Sequence, residues 1–166
     1  MFKLLKLLHL VGVAAFVGSV FGHIVSGLTV PWSDDAMAVL TARGGILDIT
    51  NMVTLPGLAV AVATGFAMMV LKRIDPRRAP WLAVHAGLGL LIVANALLLV
   101  VPAGRIMAAE ATRLGGTAFD ALVYLDALKV EAIAGGVNLV MAVIAMALGI
   151  AKPAWRRYRT RRLSNA

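Results

Sequence analysis

The chain has no cysteine, which excludes disulfides and thiolate-bound metal and leaves its redox compartment unwritten. Charge is scarce as well. Charged residues make up 14% of the 166, against about 25% in ordinary soluble domains. No Ser/His/Asp constellation, glycine-rich nucleotide loop or hydrolytic carboxylate pair is visible, so hydrolase and ATPase readings have nothing to stand on. Histidine is limited to His9, His23 and His85. Two of these three fall inside the stretch KLLKLLHLVGVAAFVGSVFGHIVSG, which is otherwise almost entirely apolar.

What the chain does have is hydrocarbon, at 61% hydrophobic residues. So much apolar surface cannot be buried within 166 residues in water, so the solvent must be lipid. Four apolar stretches, at 5–29, 47–71, 80–102 and 130–151, each supply the roughly 20 residues that a spanning helix needs. The expected fold class is therefore all-α, an integral membrane four-helix bundle forming a single domain over residues 1–166. No internal repeat is evident. Between the third and fourth spans, the connection 103–129 reads as helical and broken at Gly115-Gly116. It predicts helices that extend past the bilayer or an interfacial helix.

Charge sets the expected orientation. Lys3 and Lys6 precede the first span, KRIDPRRAP separates the second from the third, and a basic tail, 152–166, follows the fourth. The other two connections are slightly acidic, with Asp34 and Asp35 in one and Glu110, Asp120 and Asp126 in the other. By the positive-inside rule both termini face the cytoplasm. The net charge of +8 therefore marks topology and no nucleic-acid footprint. The start MFKLLK resembles the charged region of a signal peptide, but no clean small-x-small cleavage site follows, which favours a retained span.

Counting helical rise from the charged flanks predicts depth. His9 falls roughly 5 Å and His85 roughly 8 Å into the membrane, with Met68 and Met146 near the same level. His23, Pro56, Asn95 and Asn138 fall at roughly 21–25 Å, and Asp48, Arg105, Lys129 and Glu131 beyond them at roughly 34–37 Å. Imidazole in lipid needs a partner, because an unpaired polar group there costs several kcal/mol. Three readings of the inner level stay open. His9 and His85 could ligate one haem b iron from opposite sides, as cofactors sit in four-helix bundles. Gly12, Gly87 and Gly89 would then let the macrocycle approach the backbone, with Phe16 one further turn pair along the same stripe. Alternatively the two histidines, with Met68 and Met146, could bind copper, since thioethers suit Cu(I). In the third reading, both histidines only hydrogen-bond across helix interfaces. At the outer level His23, Asn95 and Asn138 suggest a polar pocket, next to a kink expected at Pro56. A quinone, a proton relay or a small substrate could use it.

The pattern LKLLHLVGVAAFVGSVF followed by TLPGLAVAVATGFAMM resembles small bacterial membrane proteins that include the copper-resistance protein CopD, the HemJ-type protoporphyrinogen oxidases and an uncharacterised branch related to both. The matching features are His9, Gly18, Pro56 and Gly65, over residues 3–100. The resemblance implies a bacterial inner-membrane location and, from the HemJ side, b-type haem held by the first-span histidine; from the CopD side it implies copper handling. HemJ-type proteins show Trp-Leu-His-x-Lys entering the third span, whereas PWLAVHAGLG keeps Trp81 and Leu82, displaces the histidine and lacks the lysine. The expectation is a haem b-binding membrane protein ligated by His9 and His85, an electron relay or a haem-dependent oxidoreductase with a quinone or redox partner. A copper-handling protein and a non-catalytic membrane subunit are the alternatives, and a homo-oligomer is left open.

Overall fold

A computed structural model describes residues 1–29, 35–73 and 79–153. Its four long helices are Phe2–Thr29, Ala36–Leu71, Pro80–Asp120 and Leu122–Ala151, each with a stretch long and apolar enough to cross a membrane. In hydrocarbon every backbone N–H and C=O must be satisfied within the protein, and a helix does this within one segment. The apolar runs therefore become helices, and leucine, valine, isoleucine and phenylalanine side chains cover their outer faces: Met52 is 76% and Leu98 72% exposed. The protein is an all-α membrane four-helix bundle.

Successive helices run antiparallel, so the N-terminus and the end of the fourth helix lie at the same end of the bundle. We call that side the terminal half and the other the distal half. The basic tail beyond residue 153, most of KRIDPRRAP and Asp34 lie outside the described residues.

The second and third helices are longer than their apolar stretches. The second contains 36 residues and the third 41, about 54 and 62 Å of helical rise against a hydrocarbon core of about 30 Å. Both overshoot at the distal end. The helix from Ala36 begins on Asp35, whose carboxylate accepts from the N–H groups of Met37 at 2.9 Å and Ala38 at 3.4 Å, a side-chain N-cap. The third runs as α-helix to Leu114, where Gly115 turns the chain with φ +57°. A Cβ on Gly115 would also stand 2.7 Å from the Ala36 Cβ. Only glycine both adopts this angle cheaply and lets the start of the second helix pack here.

The second and third helices each absorb a proline in the same manner. Pro56 and Pro102 have no N–H to donate and would push against the carbonyl four residues earlier. A π turn, Thr50–Thr54 or Ala96–Val100, precedes each proline by one residue. The N–H of Leu55 bonds back to the Thr50 oxygen and that of Val101 to the Ala96 oxygen. Each helix thus gains one residue of register instead of breaking.

The first helix packs along the second and the third along the fourth. The first pair meets closely at glycine: a Cβ on Gly12 would lie 2.7 Å from the Ala61 nitrogen and 2.8 Å from the Gly57 oxygen. In the terminal half the two hairpins touch each other sparingly. They join at mid-depth through Phe16, Leu58, Ile92, Ala96 and Ala142. In the distal half a second core of Ala103, Met107, Ala118, Tyr124 and Ala127 closes the bundle under its outer turn.

Candidate cofactor-binding site

His9 and His85 come from the first and third helices, which run parallel, and their ring centroids are 6.3 Å apart with the planes tilted by 50°. Each ring is anchored to its own hairpin. His9 Nδ1 lies 2.7 Å from the Ala61 carbonyl oxygen, and His85 Nδ1 lies 2.8 Å from that of Ala145. A carbonyl only accepts, so Nδ1 is the protonated nitrogen in both rings, and in the neutral imidazole Nε2 keeps the lone pair. This is the arrangement found at metal-ligating histidines, where the second nitrogen's hydrogen bond fixes tautomer and ring orientation.

The surroundings of the pair are small. Gly65 lies against His9, its virtual Cβ 3.3 Å from the ring Cε1, and Gly149 lies against His85 at 3.6 Å. A Cβ on Gly87 or Gly89 would meet no described atom within 4 Å. Gly89, one turn on, shares the His85 face, whereas Gly87 is turned about 200° away from it. Gly12 does something else: it is taken up by the contact with Gly57 and Ala61, a close helix approach of the small-residue kind. Phe16 is buried at 5% exposure within the mid-depth cluster, where it closes the site on its distal side. Met68 and Met146 are half-buried.

No group of three or more His, Cys, Asp or Glu side chains that could hold a metal ion occurs among the described residues. The convergent donors are two imidazoles. Two imidazoles could hold a haem iron, which brings four macrocycle nitrogens of its own, and together with thioethers such as those of Met68 and Met146 they could suit Cu(I).

A family model described as "Predicted integral membrane protein (DUF2269)" matches residues 3–153. The chain belongs to this family. No curated protein and no solved structure matches it. The match covers all four helices of this family member and agrees with their membrane character.

The distal polar level is divided between the hairpins. His23 Nε2 lies 3.4 Å from the hydroxyls of both Thr50 and Thr54, at the two ends of the first π turn. Asn95 donates to the Asn138 side-chain oxygen and to the Ala134 carbonyl, each at 2.8 Å. The three residues expected to share one polar pocket thus take their hydrogen-bond partners within their own hairpins. The threonines were missed because their position depends on the π turn, which a straight-helix count omits.

These contacts expose a repeat that the sequence hides. Phe16 and Ser19 follow His9 at the same spacings at which Ile92 and Asn95 follow His85. Thr54 and Gly65 flank Ala61 as Asn138 and Gly149 flank Ala145. Each hairpin therefore offers one histidine, one carbonyl, one glycine and one mid-depth apolar side chain. The bundle is an approximate twofold of hairpins around the imidazole pair.

At the distal rim Glu131 pairs with Arg43 at 3.7 Å, and Lys129 with Asp126 at 3.4 Å, while Asp48 and Arg105 are exposed. Arg43, only 4% exposed, also donates from Nε to the Tyr124 hydroxyl at 2.7 Å. Sequence reading counted Arg43 as a loop charge. Tyr124→Phe leaves a buried guanidinium donor unsatisfied and is expected to cost about 1–3 kcal/mol. Thermal unfolding in detergent checks this; an unchanged midpoint would mean that water reaches Arg43.

Proposed function

We propose that the protein is a membrane haem b protein that transfers electrons, with His9 and His85 as the two axial ligands. The observation that carries the reading is the imidazole pair, 6.3 Å between centroids. With metal–nitrogen bonds of about 2.0–2.1 Å, two imidazoles on opposite sides of one ion place their centroids about 6 Å apart. The donor set fits as well: both rings present an unprotonated Nε2, and the sparing contact between hairpins leaves a flat guest room that a packed core would not.

Held by His9 and His85, a haem would supply one-electron exchange. The chain's own residues hold the two ring planes, exclude water through the mid-depth cluster of Phe16, Leu58, Ile92 and Ala142, and expose the site toward lipid. A quinone or another small bilayer-soluble molecule is the natural electron partner for such a position. The charge pattern supports both termini, and hence the site, facing the cytoplasm of a bacterial inner membrane.

The test is the absorbance spectrum of protein purified from membranes supplied with haem. A Soret band with sharp reduced-state α and β bands supports the reading, and His23→Ala should leave them intact. Colourless protein with one copper per chain would replace haem by copper at the same histidines. Colourless, metal-free protein would leave His9 and His85 as helix-packing groups.

A further inference from the structure

We infer that Gly65 and Gly149 are positioning residues, one per hairpin, that hold His9 and His85 in the Nδ1–H tautomer and so present both Nε2 lone pairs to the same guest. The inference takes its purpose from the two-histidine site proposed above, but its geometry stands without any guest.

The argument is steric. A helical Cα–Cβ bond leans toward the helix N-terminus, so a side chain at i+4 covers the carbonyl at i. The carbonyls that receive the two histidines belong to Ala61 and Ala145. The residues four further along are Gly65 and Gly149. A Cβ on either would face the ring it lies against, 3.3 Å from His9 Cε1 and 3.5 Å from Nδ1 in one case, 3.6 and 3.8 Å from the same atoms of His85 in the other. At Gly65 a methyl would be tighter than ordinary contact, and His9 would have to give by a few tenths of an ångström. At Gly149 it would be in ordinary van der Waals contact, so there only a side chain longer than alanine would cover the carbonyl. Thr64 adds a hydroxyl 3.4 Å from His9 Nδ1, but its counterpart in the fourth helix is Leu148. The carbonyl with its glycine is therefore the device common to both sides. That it occurs twice, at matched positions around facing rings, argues against incidental helix packing.

The tautomer is what gives the device a function. A ring donating from Nε2 instead would turn its lone pair to its own hairpin and offer the inter-hairpin space only an N–H. Such a ring could not ligate.

The experiment uses the full chain in lipid bilayers, without haem, with ¹⁵N-labelled histidine read by solid-state NMR. Wild type should show His9 and His85 as Nδ1–H, Nε2-unprotonated rings. In Gly65→Ala the His9 signals should lose that signature while His85 keeps it, and Gly149→Leu should do the converse. Gly87→Ala, where a Cβ meets open space, should change neither. Gly149→Ala, whose Cβ would sit in ordinary contact at 3.6 Å, should leave the His85 signature in place. Nε2–H rings in wild type overturn the inference even if a variant fails to fold, and so does loss of both signatures from one substitution. Intact tautomers in a chain that stays colourless with haem would sink the haem reading alone, leaving the positioning device in place.

Discussion

His9→Ala and His85→Ala are each expected to abolish the low-spin haem spectrum, and to the same extent. The reason for equality is the repeat: each ring is held by a carbonyl from the adjacent helix, at 2.7 Å and 2.8 Å, with a glycine beside it and an apolar residue one layer above. Among the described residues neither ring is hydrogen-bonded to a carboxylate, so a carbonyl orients each of them. Losing one axial nitrogen should lower haem retention by at least about tenfold, at the scale where even removal of supporting groups costs 10–100-fold in metal affinity. The vacated volume lies on the face of Gly89, where a Cβ would meet no described atom within 4 Å, so added imidazole should restore the α band in the His85→Ala protein. Reduced-minus-oxidised spectra of the purified variants decide it. Retention of the wild-type spectrum by either variant would remove that histidine from the site.

How much of this was legible in the sequence depends on what each residue faces. Counting turns from a charged flank places His9 and His85 at one depth because both helices start near that flank and run without interruption to their histidines. The four-helix membrane fold is read from the apolar stretches for an equally simple reason: lipid admits few other solutions. The helix ends were less legible. The third helix's run past 102 to a break at Gly115 was readable from the helical pattern. Apolar character thins at 47, however, and the second helix nonetheless runs on from Ala36, because the distal halves pack on one another around Met107 and Tyr124. Gly12 could not be assigned from sequence because a glycine in lipid looks alike whether it makes room for a cofactor or for a neighbouring backbone. The repeat escaped notice because only the inward-facing residues keep it. Lipid-facing positions such as Leu10 and Ala86, each following its histidine, need share nothing but apolarity. His23 found threonines because Pro56 is met by a π turn, and one added residue of register rotates everything distal to it.

Gly12 also supports the second large effect, on stability. Gly12→Ala should strongly destabilise the first hairpin, and Gly12→Leu should prevent it from forming. A Cβ at this position would face the Ala61 nitrogen at 2.7 Å, the Gly57 oxygen at 2.8 Å and the Ala61 Cα at 3.2 Å. All three are backbone atoms of a helix, and no rotamer change relieves the overlap. The first and second helices would have to move apart, at a cost of about 1–3 kcal/mol for a single inserted methyl and more for a branched side chain. The displacement falls on the residue whose carbonyl holds His9, so the site should loosen with the hairpin. Gly18→Ala is the matched control. It lies on the same helix with no described atom within 4 Å of its virtual Cβ, and there alanine should gain up to about 1 kcal/mol from helix propensity. Unfolding of both variants in detergent separates the two glycines. If Gly12→Ala melts with Gly18→Ala, the close backbone approach does not hold the hairpin together, and the placement of the first imidazole loses its foundation.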